Sequence, residues 1–320
     1  MTTFTLGARR SPLAVVQAEY VADLLRAAGH TVDVVGITSE GDTDRRALTE
    51  IGGTGVFAAA VRARLLDGSI DLAVHSLKDL PVAPQPGLVV AAIPARERVN
   101  DVLVGRPIDE WTNDTVVGTG SPRRQAQLAA LAAVRGLTPQ FVSVRGNVDT
   151  RLNLVADRDA SLGGVDATLL ARAGLARLGK VPAEGHLPAT IATTAGPDVP
   201  LRELTLDEVL PAPGQGALAV ECRESATTVL AALSALDDAP TRAAVTAERA
   251  FLATLEAGCL APVGAWARSE QGLLTLDVAV ADASGALVRD RETGDDPALV
   301  GSRLAERVLA RLDGKQQPRR

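Results

Sequence analysis

The chain has 320 residues, enough for two or three domains, and its 46% hydrophobic and 22% charged residues are those of an ordinary folded protein. Acidic residues outnumber basic ones, 39 to 33, and aromatics make up only 2%. Duplex binding uses a basic excess and single-stranded binding uses aromatic stacking platforms, so nucleic acid is not an expected partner.

Met1-Thr2-Thr3-Phe4 shows no basic stretch followed by an apolar one, and no apolar run approaches a bilayer span. A cytoplasmic location without membrane attachment is therefore expected. Two cysteines, Cys222 and Cys259, make neither a disulfide framework nor a metal site.

In chain order, residues 4–8 read as a first strand, followed by Arg9-Arg10 and a Ser11-Pro12 helix start. The apolar positions Leu13, Val16, Tyr20, Val21, Leu24 and Leu25 then hold helical spacing up to Gly29. Residues 31–38 predict a second strand. The glycine-rich stretch 39–55 predicts a lid or mobile segment, and 56–66 a short helix. A buried strand over 70–74 runs into His75-Ser76-Leu77-Lys78-Asp79-Leu80-Pro81. In α/β sheets ligands gather beyond strand carboxyl ends, which is where Lys78 and Asp79 fall. A turn cap or a simple Lys78–Asp79 pair explains the same residues. His75 reads as structural.

A strand over 88–93 and a proline- and charge-rich hinge over 94–101 lead to a second α/β unit. Its centre is Gly118-Thr119-Gly120-Ser121-Pro122-Arg123-Arg124, a turn entering a helix with Ser121 as N-cap and Pro122 at the first position. Arg123 and Arg124 then sit in the first turn, where the helix dipole disfavours positive charge. Either they are solvated surface arginines, or an anion sits between them and the free N–H groups.

A strand over 140–144 ends in Arg145-Gly146-Asn147-Val148-Asp149-Thr150-Arg151, a second basic, glycine-containing helix start. A strand over 166–170 and a helix with Arg172 and Arg177 follow, then a long connection over 181–213. Pro213-Gly214-Gln215-Gly216 leads into a strand over 217–221, which suits a crossover back to the first unit. Beyond 239 the pattern changes to a long helix, Gly258-Cys259, three strands near 262–267, 273–280 and 287–291, and a helix over 297–312. That is the pattern of a small α+β domain.

The chain offers no arguable Ser-His-Asp triad, Walker loop or dinucleotide fingerprint. What remains is a set of arginines at strand-to-helix turns, one carboxylate at a strand end, and Cys259. Guanidinium matches carboxylate bidentately, so converging arginines suit a polycarboxylate. A loop cysteine after a helix end is a poor low-pKa thiolate; it is either inert packing or the holder of a permanent covalent group. A non-catalytic anion-binding module is the rival reading from another class.

Six ordered motifs then carry a family resemblance: Ala8-Arg9-Arg10-Ser11-Pro12-Leu13-Ala14, His75 to Pro81, Gly118 to Arg124, Arg145 to Arg151, Gly214-Gln215-Gly216-Ala217 and Glu256-Ala257-Gly258-Cys259. Together they resemble the porphobilinogen deaminases. The resemblance implies an α/β fold with two type II periplasmic-binding-protein-like lobes, 1–97 with 217–236 and 98–212. A C-terminal α+β domain over 239–314 and a disordered tail over 315–320 complete the expected layout.

It also implies a transferase, active as a monomer, that joins four porphobilinogen molecules head to tail with loss of ammonia to give hydroxymethylbilane. A dipyrromethane cofactor would be held on Cys259 as a thioether. Asp79 would be the catalytic carboxylate, stabilising cationic azafulvene and protonated-pyrrole intermediates. Lys78, Asp79, Thr119, Ser121, Arg123, Arg124 and Gly146 would bind the cofactor. Arg9, Ser11, Phe57, Arg145, Arg151, Arg177 and Gln215 would bind substrate. Glu50 and Thr54, where many members carry lysines, and Gly120, where they carry a hydroxyl residue, depart from the pattern.

Overall fold

The computed structural model describes residues 1–38, 55–157, 164–255, 262–270, 272–282 and 284–316, with the backbone alone for 55–57 and 313–316. Glu50, Thr54, Cys259 and the Phe57 side chain therefore lie outside the described residues, as does nearly all of the expected lid.

The first unit runs β1 (Thr3–Arg9), α1 (Pro12–Ala27), β2 (Thr31–Ile37), α2 (Gly55–Leu66), β3 (Leu72–Ser76) and β4 (Leu88–Ala92). The second runs β5 (Asp101–Gly105), β6 (Val116–Gly118), α3 (Pro122–Ala133), β7 (Gln140–Val142), α4 (Val148–Ala156), β8 (Ala167–Ala171), α5 (Arg172–Arg177), β9 (Thr190–Ile191) and β10 (Val199–Glu203). The chain returns through β11 (Leu218–Arg223) and α6 (Thr227–Leu233). It ends with α7 (Ala239–Thr254), β12 (Val263–Glu270), β13 (Leu273–Ala281), β14 (Leu287–Gly294) and α8 (Pro297–Gln316).

The two sheets share one plan. In the first, ordered β2-β1-β3-β11-β4, β1 is parallel to β2 and β3, while β11 runs antiparallel between β3 and β4. In the second, ordered β7-β6-β8-β5-β10-β9, β6 is parallel to β7 and β8, and β5 is antiparallel to β8 and β10. Each lobe thus takes its antiparallel strand straight from the chain arriving from the other lobe. This is the two-lobed, periplasmic-binding-protein-like arrangement, with two hinge crossings lying side by side.

The predicted helix starts form for the expected reason. Ser11 and Ser121 each accept a hydrogen bond from the backbone N–H three residues on, Ala14 and Arg124, and a proline opens each helix. Helix α1 lays Ala18, Val21, Ala22 and Leu25 on β1 and β3 around Leu6, Leu72 and Val74, and Cys222 packs in the same core. Three strands escape the sequence reading, the two-residue β9 in the long connection among them. β5 begins inside the expected hinge, and β10 lies in the long connection that shows few sequence signals.

The third unit is a meander, β12-β13-β14, covered by α7 and α8, with Phe251, Leu276 and Leu304 fully buried between them. Its tie to the hinge is ionic. Glu248 on α7, with no solvent exposure, accepts both Arg96 Nη atoms at 2.7 and 2.9 Å and the backbone N–H groups of Gly214 and Ala267 at 2.7 and 2.9 Å. Arg96 lies on the outgoing crossing, Gly214 on the return crossing, and Ala267 on β12. One carboxylate therefore joins both hinge strands to the third unit. Truncating one partner of such a buried pair leaves an uncompensated guanidinium. Glu248→Ala is expected to lower unfolding free energy by about 3–5 kcal/mol, read as a shift in a urea or thermal unfolding curve.

Candidate active site: a cationic cleft between the lobes

After β3 the chain makes a single 3₁₀ turn, Leu77–Asp79, that buries Leu77 and leaves Asp79 exposed. Leu77 N–H donates to Ala217 O at 3.0 Å, so the return crossing supports the turn. Lys78 Nζ reaches Gln215 Oε1 at 3.4 Å on that crossing. Burial lowers the Lys78 ammonium to about 8, although the nearby Asp79 carboxylate opposes the change.

Gln215 is fully buried, and its side-chain Nε2 donates to Val99 O at 2.7 Å and Asp101 Oδ1 at 2.9 Å. Asp101 opens β5 and is itself fully buried between Arg123 and Arg124. Arg123 Nη2 meets Asp101 Oδ2 at 2.8 Å, and Arg124 meets Oδ1 through Nη2 at 2.8 Å and Oδ2 through Nε at 3.3 Å. Burial alone would raise the Asp101 carboxyl, but the two guanidinium charges outweigh it and hold it well below the usual range.

The anion anticipated between Arg123 and Arg124 is thus in place as a side chain of the protein. Both forks fold inward: Arg123 Nη1 also donates to Leu210 O at 2.6 Å, and Arg124 Nη1 to Leu169 O at 2.8 Å. Arg123 Nε remains buried without a hydrogen-bond partner. Thr119, nearly buried, accepts from the Ser121 N–H at 3.2 Å and shapes the turn before α3. Where family members carry a hydroxyl residue, a Cβ on Gly120 would stand 3.1 Å from Val144 O.

The second basic turn faces the same cleft. Gly146 has φ +112°, and a Cβ there would stand 2.7 Å from Thr150, so the tight turn requires glycine. Asn147 caps α4 through the Thr150 N–H at 2.8 Å, and Arg151 Nε donates to Gly146 O at 3.1 Å. Burial, followed by the nearby Arg124 and Arg145 charges, lowers Arg151 to about 10, with Asp79 opposing. Asp79, Lys78, Arg124, Arg145 and Arg151 are therefore electrostatic neighbours.

Arg177, at the end of α5, donates through Nη2 to Gly216 O at 2.7 Å, at the seam where α1 packs against α5. Arg9 ends β1 and Ser11 caps α1 on the lobe 1 side. Sequence reasoning missed Asp101, Arg96 and Glu248. The one available signal was an acid heading an otherwise apolar five-residue strand.

A separate groove of about 960 Å³ lies between lobe 2 and the third unit. Arg98, Arg268 and Arg289 there face Glu203, Asp207 and Asp277, so its charge is balanced. Among the described residues no cluster of His, Cys, Asp and Glu could hold a metal ion, and no helix is long and apolar enough to cross a membrane.

Fold and site together define a hinged, two-lobed α/β protein with a cationic cleft around one exposed carboxylate. The chain belongs to the porphobilinogen deaminase family. Residues 4–231 match the family model "Porphobilinogen deaminase, dipyromethane cofactor binding domain", and 242–310 match its C-terminal domain. Porphobilinogen deaminase 1 of Streptomyces coelicolor is 52% identical over 266 residues, covering 82% of this chain and 77% of its own. The porphobilinogen deaminase of Leifsonia xyli is 45% identical over 323 residues, covering 96% and 91%.

Asp101→Asn keeps the size of the side chain but withdraws the charge from between two buried guanidinium groups, and should cost about 3–5 kcal/mol of stability at neutral pH. Because folding depresses this carboxyl, its contribution is present above the unfolded value of about 4 and is lost as pH falls below it. The parent chain should therefore lose stability between about pH 4 and 2 more steeply than the Asn variant, measured by unfolding curves across that range.

Proposed function

We propose that this chain catalyses the reaction of its family, the stepwise head-to-tail condensation of four porphobilinogen molecules to hydroxymethylbilane in tetrapyrrole biosynthesis. The carrying observation is the exposed Asp79 carboxylate standing as an electrostatic neighbour of two half-buried cations, Lys78 and Arg151, in one cleft. Each addition breaks the aminomethyl C–N bond of porphobilinogen, the electron pair leaving with nitrogen as ammonia. It then forms a C–C bond to a pyrrole carbon, which loses its proton. Positive charge develops on the pyrrole ring, and a fixed carboxylate stabilises it without competing as a strong nucleophile. Asp79, presented at a strand end, is assigned that role and accepts the pyrrole N–H.

The residues present suit the family's cofactor. Arg123 Nε is buried without a partner, and Lys78 and Arg151 are cations whose burial is costly until an anion arrives. A dipyrromethane tethered through Cys259 supplies the pyrrole carbon from which the chain grows. Lys78, Thr119, Ser121, Arg123 and Gly146 are assigned to its carboxylates, with Arg124, folded onto Asp101 and Leu169 O, adding positive charge behind them. Arg9, Ser11, Arg145, Arg151 and Arg177 are assigned to those of incoming porphobilinogen, with Phe57 packing on a ring. Gln215, expected beside them, is buried with its amide N–H groups on Val99 O and Asp101 and instead positions Lys78 from behind. The division into lobes 1–97 with 217–236 and 98–212, a third domain over 239–314, a monomeric state and a cytoplasmic location belong to the same proposal.

Intact mass of the protein produced with porphobilinogen available should exceed the chain mass by two porphobilinogen units less two ammonia. An unmodified chain overturns the reading in favour of a plain anion-binding module. A porphobilinogen consumption assay then separates a working enzyme from an inactive relative. Asp79→Asn should keep the unfolding midpoint and lower kcat at least about 100-fold; near-normal ammonia release removes Asp79 from the mechanism.

Before the cofactor arrives Lys78 is charged below about pH 8 and neutral above it, so the porphobilinogen concentration needed to load the cofactor onto the unmodified chain should rise as pH passes upward through 8. In Lys78→Arg, where the charge persists, that rise should be absent.

A further inference from the structure

We propose that Arg249 is a positioning residue for Asp79, setting the catalytic turn against the helix that leads to the cofactor-bearing segment. The inference rests on the reading of Asp79 as the catalytic carboxylate.

The turn is held differently on its two sides. Before Asp79, the chain is pinned as strand β3, paired with β11 from Ser76 opposite Leu218 to Leu72 opposite Cys222, and by Leu77 N–H on Ala217 O. After Asp79 comes Leu80-Pro81-Val82-Ala83-Pro84-Gln85-Pro86, where three prolines lack N–H donors and no regular structure forms. The carbonyls of Leu80 and Pro81 are taken by Arg249, Nη1 to Leu80 O at 3.1 Å and Nη2 to Pro81 O at 2.7 Å. These two bonds clasp the chain immediately beyond Asp79.

Arg249 lies on α7, one turn after Val245, so the two share a face of the helix. Val245 is buried in one small cluster with Leu77, Leu80 and Ala58, the last from α2 just past the expected lid. Helix α7 therefore touches the catalytic turn through an apolar contact and a guanidinium clasp. The same helix runs on to the segment containing Cys259, ten residues after Arg249.

Arg249 also has its own support. Arg62 on α2 is bidentate to Glu221 at 2.7 and 3.0 Å, and Glu221 lies 3.2 Å from His75 Nε2. Both Arg62 and Glu221 act electrostatically on Arg249, with opposite sign. The Glu221 carboxylate offsets part of the repulsion between Arg62 and Arg249, while the Arg249 guanidinium grips two carbonyls. A planar fork with several donors suits this better than an ammonium.

Removing the clasp should let the turn drift while the cleft cations and the cysteine remain. Misplacement of a reacting group by about 1 Å costs up to about 100-fold in rate. Arg249→Met, which keeps the packing stem, is expected to lower kcat about 10- to 100-fold, with KM for porphobilinogen within about three-fold. The dipyrromethane adduct should still be present by intact mass. Backbone amide exchange of a peptide spanning 77–85 should speed up while the strands keep their protection. Arg249→Lys, retaining charge and a donor, should recover part of the loss in kcat and in protection, and it carries the test alone should the Met variant not fold.

Unchanged exchange at 77–85 overturns the proposal, as does a kcat within two-fold of the parent. A joint fall of unfolding midpoint and adduct content with no separate loss of kcat also overturns it, assigning Arg249 to stability alone. If Asp79→Asn turns over normally, the catalytic reading fails instead, while the exchange measurement still reports on the clasp.

Discussion

The buried carboxylate of Asp101 is the constraint on which the cleft depends. Two guanidinium groups cannot share an interior without a counter-charge, because each loses hydration and repels the other in a low-dielectric setting. Asp101 meets that need with contacts of 2.8 Å to each arginine. Its position at the start of β5 puts the counter-charge where the chain has just crossed from lobe 1. The first turn of α3, electrostatically poor for arginines, becomes tolerable because both side chains turn back to this carboxylate. The ligand-facing properties of the motif are then what is left over: a buried Nε on Arg123, the Thr119–Ser121 turn and the helix N-terminus.

The same network extends across the hinge with graded strength. Charge-assisted contacts hold Asp101 to the arginines within lobe 2, Gln215 joins Asp101 to the return crossing at 2.9 Å, and Lys78 of lobe 1 joins Gln215 at 3.4 Å. The 3.4 Å bond between Lys78 and the neutral amide is the weakest link by geometry. A change in lobe separation would therefore first loosen Lys78 from Gln215, leaving the arginine pair intact. Glu248 holds both crossings from outside through Arg96 and Gly214, so the third unit fixes the pivot rather than riding on one lobe.

The elements that were legible in the chain were those with local grammar. Ser-Pro starts, the Asn147 cap and the apolar face of α1 declare themselves within a few residues. β5 did not, since Asp101 at its head reads as hinge polarity, and β10 did not, since its alternation rests on only two apolar residues, Val199 and Leu201, with a proline between them that argues against a strand. The arginines and Asp79 were legible as types at strand ends. Their partners were not: Asp101 lies 22 residues before Arg123 and 114 before Gln215, and nothing in spacing announces a contact made only by the return crossing. Arg249 is hidden for a related reason, because its acceptors are backbone carbonyls that carry no residue signature.

The lowered values of Lys78 and Arg151 express the state of the cleft in one quantity. Burial and like charge place each cation above its free energy in water, and that cost is what an anionic ligand relieves. A carboxylate brought beside Lys78 stabilises its charged form and raises its pKa from about 8. Near that pH, binding must then draw a proton onto Lys78, since whatever favours the charged form favours its protonation. Asp79 stands in the same field and opposes both shifts. The arrangement therefore keeps one exposed carboxylate among cations that each new anion further satisfies, which leaves that carboxylate open to positive charge, as the role proposed for Asp79 requires.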